Sequence, residues 1–156
     1  MATLYSTTAD AENTARAYGR DLQCSPKSGR NVGLAIKGMP LAKAIEFLED
    51  VKELKTAVPF RVRVRKIHHR RGSRFGPGRY PVQVARCFLK VLESVGANAE
   101  YKGLDKERLV ITHVTAYQGQ VIHAMTPRAH GRATPHYNRL CNLEIIVTQS
   151  DKEEAK

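Results

Sequence analysis

The sequence predicts an α+β domain: three helices packed on a small antiparallel sheet, with two strands running out as a long protruding β-hairpin. Three observations predict it. Apolar residues recur at helical spacing in three separate stretches ahead of Gly103. Two strand-like segments, Leu109 to Ala124 and Tyr137 to Thr148, flank a small, basic, turn-prone tip, Met125 to Ala133. No carboxylate occurs from Arg108 to Leu143, where Arg108, Arg128, Arg132, Arg139 and four histidines accumulate.

A chain of 156 residues fits one domain, 1–156. Its expected parts are a globular body of about 18–108 and 143–149, a basic insertion of about 55–80, and an extended hairpin of about 109–142. Residues 1 to about 15 are polar and are expected to be loose. A short extended segment, Tyr18 to Cys24, leads to Ser25-Pro26, an N-cap followed by proline at the first helical position. Val32, Ala35, Ile36 and Met39 follow at helical spacing, and Gly38 offers a stop. Met39-Pro40 opens a second helix, whose Leu41, Ala44, Ile45, Leu48 and Val51 form one apolar stripe. Pro81 starts the third and longest helix, with Val84, Ala85, Phe88, Leu89, Leu92 and Val95 on a wide apolar face. Gly103 ends it, and Gly96 is tolerated inside it at about 1 kcal/mol. Leu143, Ile145 and Val147 then lie on one face of a closing strand.

Between the second and third helices, Pro59 to Pro81 fits neither helical nor strand periodicity. Arg61, Arg63 and Arg65 alternate with Val62 and Val64, which in a strand puts the three guanidinium groups on one face. Arg70-Arg71-Gly72-Ser73-Arg74 and Gly76-Pro77-Gly78 are loop chemistry. The block reads as a surface excursion of extended, glycine-hinged basic chain. For the hairpin, arms of about 15 residues at roughly 3.3 Å each project about 50 Å. A compact chain of this length has a radius of gyration of about 15 Å. Such a tip enters something else.

Charge says what that something is. With 26 basic against 15 acidic residues the chain carries +11. Between Glu53 and Glu93 there is no acid, while Lys55, Arg61, Arg63, Arg65, Lys66, Arg70, Arg71, Arg74, Arg79, Arg86 and Lys90 are all cations. Such a block repels itself without a polyanion. Arg139 extends the positive charge along the hairpin. The N-terminus lacks the basic and apolar regions of a signal peptide, and no long apolar run suggests a membrane partner. Cys24, Cys87 and Cys141, odd in number and far apart in sequence, suit a reducing compartment rather than a disulfide framework or zinc site. A cytoplasmic protein is expected.

Each smaller constellation has a plain alternative. His68-His69 lack same-face spacing, and their nearest carboxylate is Glu53, so phosphate or base contact suits them better than a metal or general base. Cys87, on an apolar helix, reads as a small hydrophobe. Gly76-Pro77-Gly78-Arg79 lacks the glycine-lysine ending of a nucleotide loop, but it brings Arg79 beside the positive N-terminus of the third helix. RNA is preferred to DNA, because no helix combines basic with base-reading residues and a thin hairpin suits folded RNA.

Three stretches together resemble the universal large-subunit ribosomal protein family twenty-two, whose long β-hairpin lines the nascent-peptide exit tunnel. They are Cys24-Ser25-Pro26-Lys27 through Ile36-Lys37-Gly38, Met39 and Ala42 to Leu48; Phe88-Leu89-Lys90-Val91-Leu92-Glu93-Ser94 through Ala97-Asn98-Ala99; and Pro127-Arg128-Ala129-His130-Gly131-Arg132-Ala133. The match covers most of residues 18 to 149. Lys37-Gly38-Met39, Val58-Pro59-Phe60 and Gly78-Arg79-Tyr80-Pro81 are similar to the archaeal and eukaryotic branch, which carries an insertion before the third helix. The length and the lack of a long basic tail look archaeal. One departure is that Ser28 and Gly29 stand where bacterial members carry further cations.

The resemblance implies a structural component of the large ribosomal subunit with no enzymatic activity, cofactor, metal, membrane partner or small-molecule substrate. Its partners are then large-subunit rRNA, neighbouring ribosomal proteins and the nascent polypeptide. Expected rRNA-binding residues are Ser25, Lys27, Arg61, Arg63, Arg65, Lys66, His68, His69, Arg70, Arg71, Arg74, Arg79 and Arg139. Pro127, Arg128, Ala129, His130, Gly131, Arg132 and Ala133 are the expected tunnel-lining tip. The small residues let backbone approach RNA, and the two arginines can pair with phosphate or stack. A small basic RNA-processing enzyme and a free RNA chaperone are the alternatives.

Overall fold

The computed structural model of the chain describes residues 5–8, 13–71 and 75–150. In chain order the elements are β1 (Thr14–Leu22), α1 (Pro26–Ile36), α2 (Leu41–Lys52), β2 (Val58–Pro59), β3 (Gly78–Arg79), α3 (Val82–Tyr101), a short 3-10 turn (Lys106–Arg108), β4 (Leu109–Pro127) and β5 (Ala133–Gln149). The predicted α+β class is the observed one. Strands β1, β5 and β4 form one antiparallel sheet in that order, and β2 and β3 make a separate two-stranded pair.

The helices follow their sequence signals. Pro26 occupies the first turn of α1, and Gly38 leaves it at φ +84°, a conformation that disfavours any side chain. Gly103 does the same after α3 at φ +74°. The apolar stripes of all three helices meet the inner sheet face, where Ile36, Leu48, Phe88, Leu92, Leu109, Ile111, Leu143 and Ile145 are fully buried. Truncating Phe88 at the centre of α3 to alanine costs about 3–5 kcal/mol on this packing.

Several expectations are corrected. Thr14 and Ala15, read as loose, are buried residues of β1, whose short side chains carry a weak strand signal. The turn is tighter than expected, because the strands pair as far as Pro127 opposite Ala133. The free ribbon is also shorter than the whole arm. Strand β1 pairs with β5 as far as Cys141 and α1 covers the root of β4, so only about 119 to 127 of β4 stand clear. That is about 30 Å at roughly 3.3 Å per residue. The poor alternation of the first arm has a cause: β4 carries register shifts between Ile111 and His113 and between Gln118 and Val121. Each shift swaps which face the next residues occupy.

The central strand β5 is buried on both faces. Leu143, Ile145 and Val147 meet the helices, as predicted, while Glu144 and Ile146 lie under the opposite face. Glu144 is only 1% exposed. Its carboxylate accepts hydrogen bonds from Ser6 N at 3.1 Å, Ser6 Oγ at 2.6 Å and Tyr117 Oη at 2.9 Å, with His113 Nε2 at 4.0 Å. Burial pushes this carboxyl upward, but the hydrogen bonds from Ser6 and Tyr117 and the neighbouring His113 outweigh it, holding the pKa below the ordinary 4.5.

Candidate nucleic-acid interface

The basic insertion leaves the body through a fixed neck. Val58 and Phe60 are buried, β2 pairs with β3, and Phe60 N donates to Pro77 O at 3.0 Å. Beyond the neck, Arg61 to Arg65 is not a strand. Arg63 has φ +58° and Lys66 φ +62°, so the expected shared face of Arg61, Arg63 and Arg65 does not form.

The reason lies in α1. Asn31 is 2% exposed, and its Oδ1 accepts hydrogen bonds from Arg61 N at 2.9 Å and Val62 N at 3.0 Å. Its Nδ2 donates to Val62 O at 3.2 Å and Lys27 O at 3.0 Å. One side chain thus takes the backbone partners that a strand neighbour would supply, and clips the start of the insertion to the first helix. Further along, Arg70 Nε donates to Gly78 O at 3.0 Å and its guanidinium lies 5.1 Å from the Tyr80 ring centroid, so this cation braces the loop.

Beside the clip lies an open recess of about 1070 Å³. Its walls are the start of α1 (Ser25, Lys27, Arg30), the insertion (Val62, Arg63, Tyr80), the start of α3 (Val82, Gln83) and the hairpin stem (Gln118, Tyr137, Asn138, Arg139). Four of the expected RNA residues, Ser25, Lys27, Arg63 and Arg139, meet here from three separate parts of the chain. Arg30 joins them, and no acidic residue is among the described lining. Helices α1 and α3 both open into it, with no acid in either first turn and no side-chain cap from Ser25. Their unsatisfied N–H groups add partial positive charge to the four cations.

The other expected residues lie outside the recess. Arg61, Arg65, Lys66, His68, His69, Arg71 and Arg79 are exposed on the insertion, and Arg74 lies outside the described residues. The tip is separate again. Arg128 N donates to Arg132 O at 2.8 Å, closing a turn that His130 and Gly131 round at φ +58° and +65°. All seven tip residues are exposed. Arg128 Nε donates to Thr134 Oγ1 at 3.2 Å, which steadies one arginine against its own strand.

Sequence reading missed Asn31, Arg30, Gln83, Tyr137 and Asn138. A polar residue within the apolar spacing of the first helix was the available signal for Asn31. The departure at Gly29 has a structural reason. A Cβ there would stand 3.0 Å from Ala116 Cβ and 3.7 Å from Cys141 Sγ, so this face of α1 seats the hairpin root and admits no long cation. A hydrogen bond to Cys141 and burial push the Cys24 thiol well up and burial pushes Cys87 to about 11, while Cys141, lowered by its hydrogen bond with Cys24, is fully buried. Among the described residues no cluster is placed to hold a metal ion, and no helix is long and apolar enough to cross a membrane.

Residues 17–148 match the family described as Ribosomal protein L22p/L17e. The chain is 49% identical over 142 residues to large ribosomal subunit protein uL22 of Methanopyrus kandleri, spanning 90% of this chain and 89% of that protein. It is 47% identical over 145 residues to the uL22 of Methanococcoides burtonii, at 93% and 95% coverage. The uL22 of Methanocaldococcus jannaschii is 42% identical over 146 residues, at 93% and 94% coverage.

Proposed function

The chain belongs to the L22p/L17e family of ribosomal proteins, in its archaeal-type branch, and from that premise we propose that it is a structural, non-enzymatic component of the large ribosomal subunit in the cytoplasm. Its body binds large-subunit rRNA through the insertion and the recess, and its hairpin tip lines the nascent-peptide tunnel beside neighbouring ribosomal proteins.

The observation that carries this reading is the convergence in the recess: four cations and two acid-free helix N-termini, from segments far apart in sequence, around one concavity. Phosphate satisfies both the point charges and the helix ends. The tip supports the second half of the reading, since a narrow five-residue turn with Ala129 and Gly131 presents little bulk and two arginines. An RNA-processing enzyme needs convergent, accessible acid–base groups, whereas His68 and His69 sit on the insertion, His123, His130 and His136 lie along the ribbon, and His113 faces the buried carboxylate of Glu144.

The test is binding of the purified protein to a large-subunit rRNA transcript across a salt series, together with sedimentation of the native protein. The recess cations alone should give a slope of log affinity against log salt of about −3, and the native protein should travel with large subunits. A flat salt response, or a protein found mainly at the top of the gradient, overturns the reading.

A further inference from the structure

We propose that the recess between the starts of α1 and α3 and the hairpin stem is a seat for an unpaired RNA nucleotide, with its backbone held by the cations and its base inserted beside Tyr137. This rests on the reading of the basic face as an RNA surface and names the form of RNA that this part of it takes.

Shape is the first argument. A double helix offers a convex wall of phosphates, which suits cations on an open surface such as Arg65, Lys66 and Arg71. An open concavity of about 1070 Å³, lined by two helix starts, a loop and a strand, instead suits an extruded residue. The side chains supply the second argument. Phosphate needs only positive charge, yet the wall also carries Gln83, Gln118, Asn138 and Tyr137. Carboxamides pair with the edges of bases, and aromatic rings stack on their faces. Tyr137 is 50% exposed and is backed by His123 at a ring-centroid distance of 4.5 Å, so its ring is supported without being covered.

Availability is the third. Among the described residues the side chains of Lys27, Arg30, Arg63, Asn138 and Arg139 make no hydrogen bond or ion pair with the rest of the chain. Gln83 Nε2 donates to Gln23 O at 3.2 Å, which orients its carboxamide and leaves its oxygen as an acceptor. Arg63 is held in the left-handed region at φ +58°, a conformation unfavourable for arginine that the Asn31 clip next to it helps maintain.

The experiment uses the full-length protein and three fluorescein-labelled probes: octauridylate, an octamer duplex of mixed sequence, and a single strand of eight abasic ribose phosphates. Anisotropy at fixed salt should show the single strand binding at least about tenfold tighter than the duplex, and the abasic strand weakened by about tenfold. Tyr137→Ala should weaken octauridylate by a similar factor and leave duplex binding unchanged, while Tyr137→Phe, which keeps the ring, should restore it. An octamer carrying 4-thiouridine should crosslink within residues 80–83 or 137–139. Equal binding of the intact and abasic strands, or crosslinks confined to the rest of the insertion, overturns the nucleotide seat while leaving RNA binding standing. Failure of all three probes and of the rRNA transcript overturns the RNA reading itself.

Discussion

Replacing Asn31 by alanine should loosen the basic insertion without removing a single cation. The side chain makes four hydrogen bonds while 2% exposed, two accepted from Arg61 N and Val62 N and two donated to Val62 O and Lys27 O. A hydrogen bond of this kind contributes about 1 kcal/mol net, and a buried group left without a partner loses about 1–3 kcal/mol. If the insertion swings out to water, only the net contributions are lost. Alanine also favours the helix by about 0.5 kcal/mol. The expected loss is therefore about 3–4 kcal/mol, seen as a lower denaturation midpoint with an unchanged slope. Asn31→Asp keeps the acceptor for both amides but sets a buried carboxylate oxygen against the Lys27 and Val62 carbonyl oxygens, so it should be at least as damaging as alanine. Amide exchange should locate the effect at Arg61 and Val62, and affinity for the rRNA transcript should drop with it. If those two amides keep their protection in Asn31→Ala, the clip is not what fixes the insertion.

Three further outcomes are expected. A Cβ at Gly33 would stand 2.9 Å from Val114 Cγ1. Gly33→Ala should therefore destabilise by about 1 kcal/mol net, overpacking exceeding the helical gain, and adding Val114→Ala should recover most of that; strict additivity in the double-mutant cycle would count against α1 seating the hairpin root. Because the folded pKa of Glu144 lies below its unfolded value, its stabilising contribution is complete above about pH 4.5 and is lost as pH falls through the lower folded value. Glu144→Gln should flatten that acid limb of the stability profile, and an unchanged limb would contradict it. In the free protein, amides of 126–136 should exchange fast and those of α3 slowly, since the tip buries nothing of its own; uniform protection along the tip would refute this.

What the sequence made legible follows from range. The three helices were readable because stripes such as Leu41, Ala44, Leu48 and Val51 are local, and their ends because Pro26, Gly38, Pro81 and Gly103 act on their own backbone. The strand β1 began unseen because Thr14 and Ala15 owe their burial to β5, more than a hundred residues away. Arg61 to Arg65 alternates like a strand, yet Asn31 on another element takes its hydrogen bonds and turns the chain at Arg63. Ser25 and three of the four recess cations, Lys27, Arg63 and Arg139, were named in sequence, but not their meeting. Tyr137, Asn138 and Gln83 gain meaning only once the hairpin stem stands beside the two helix starts. Glu144 sits in an alternation that predicts an exposed carboxylate, and Tyr117, His113 and the chain around Ser6 meet it there.

The central claim, a body anchored on rRNA with a tip facing the nascent chain, is tested most directly by a photo-reactive group. His130, at the apex of the tip, is exchanged for p-benzoylphenylalanine in cells, and ribosomes stalled on a defined nascent chain are purified and irradiated. The proposed account predicts that the protein is present in the large subunit and that the label joins the stalled polypeptide while it is still inside the tunnel. Crosslinks found only to polypeptide that has already emerged, or only to factors outside the subunit, would contradict it.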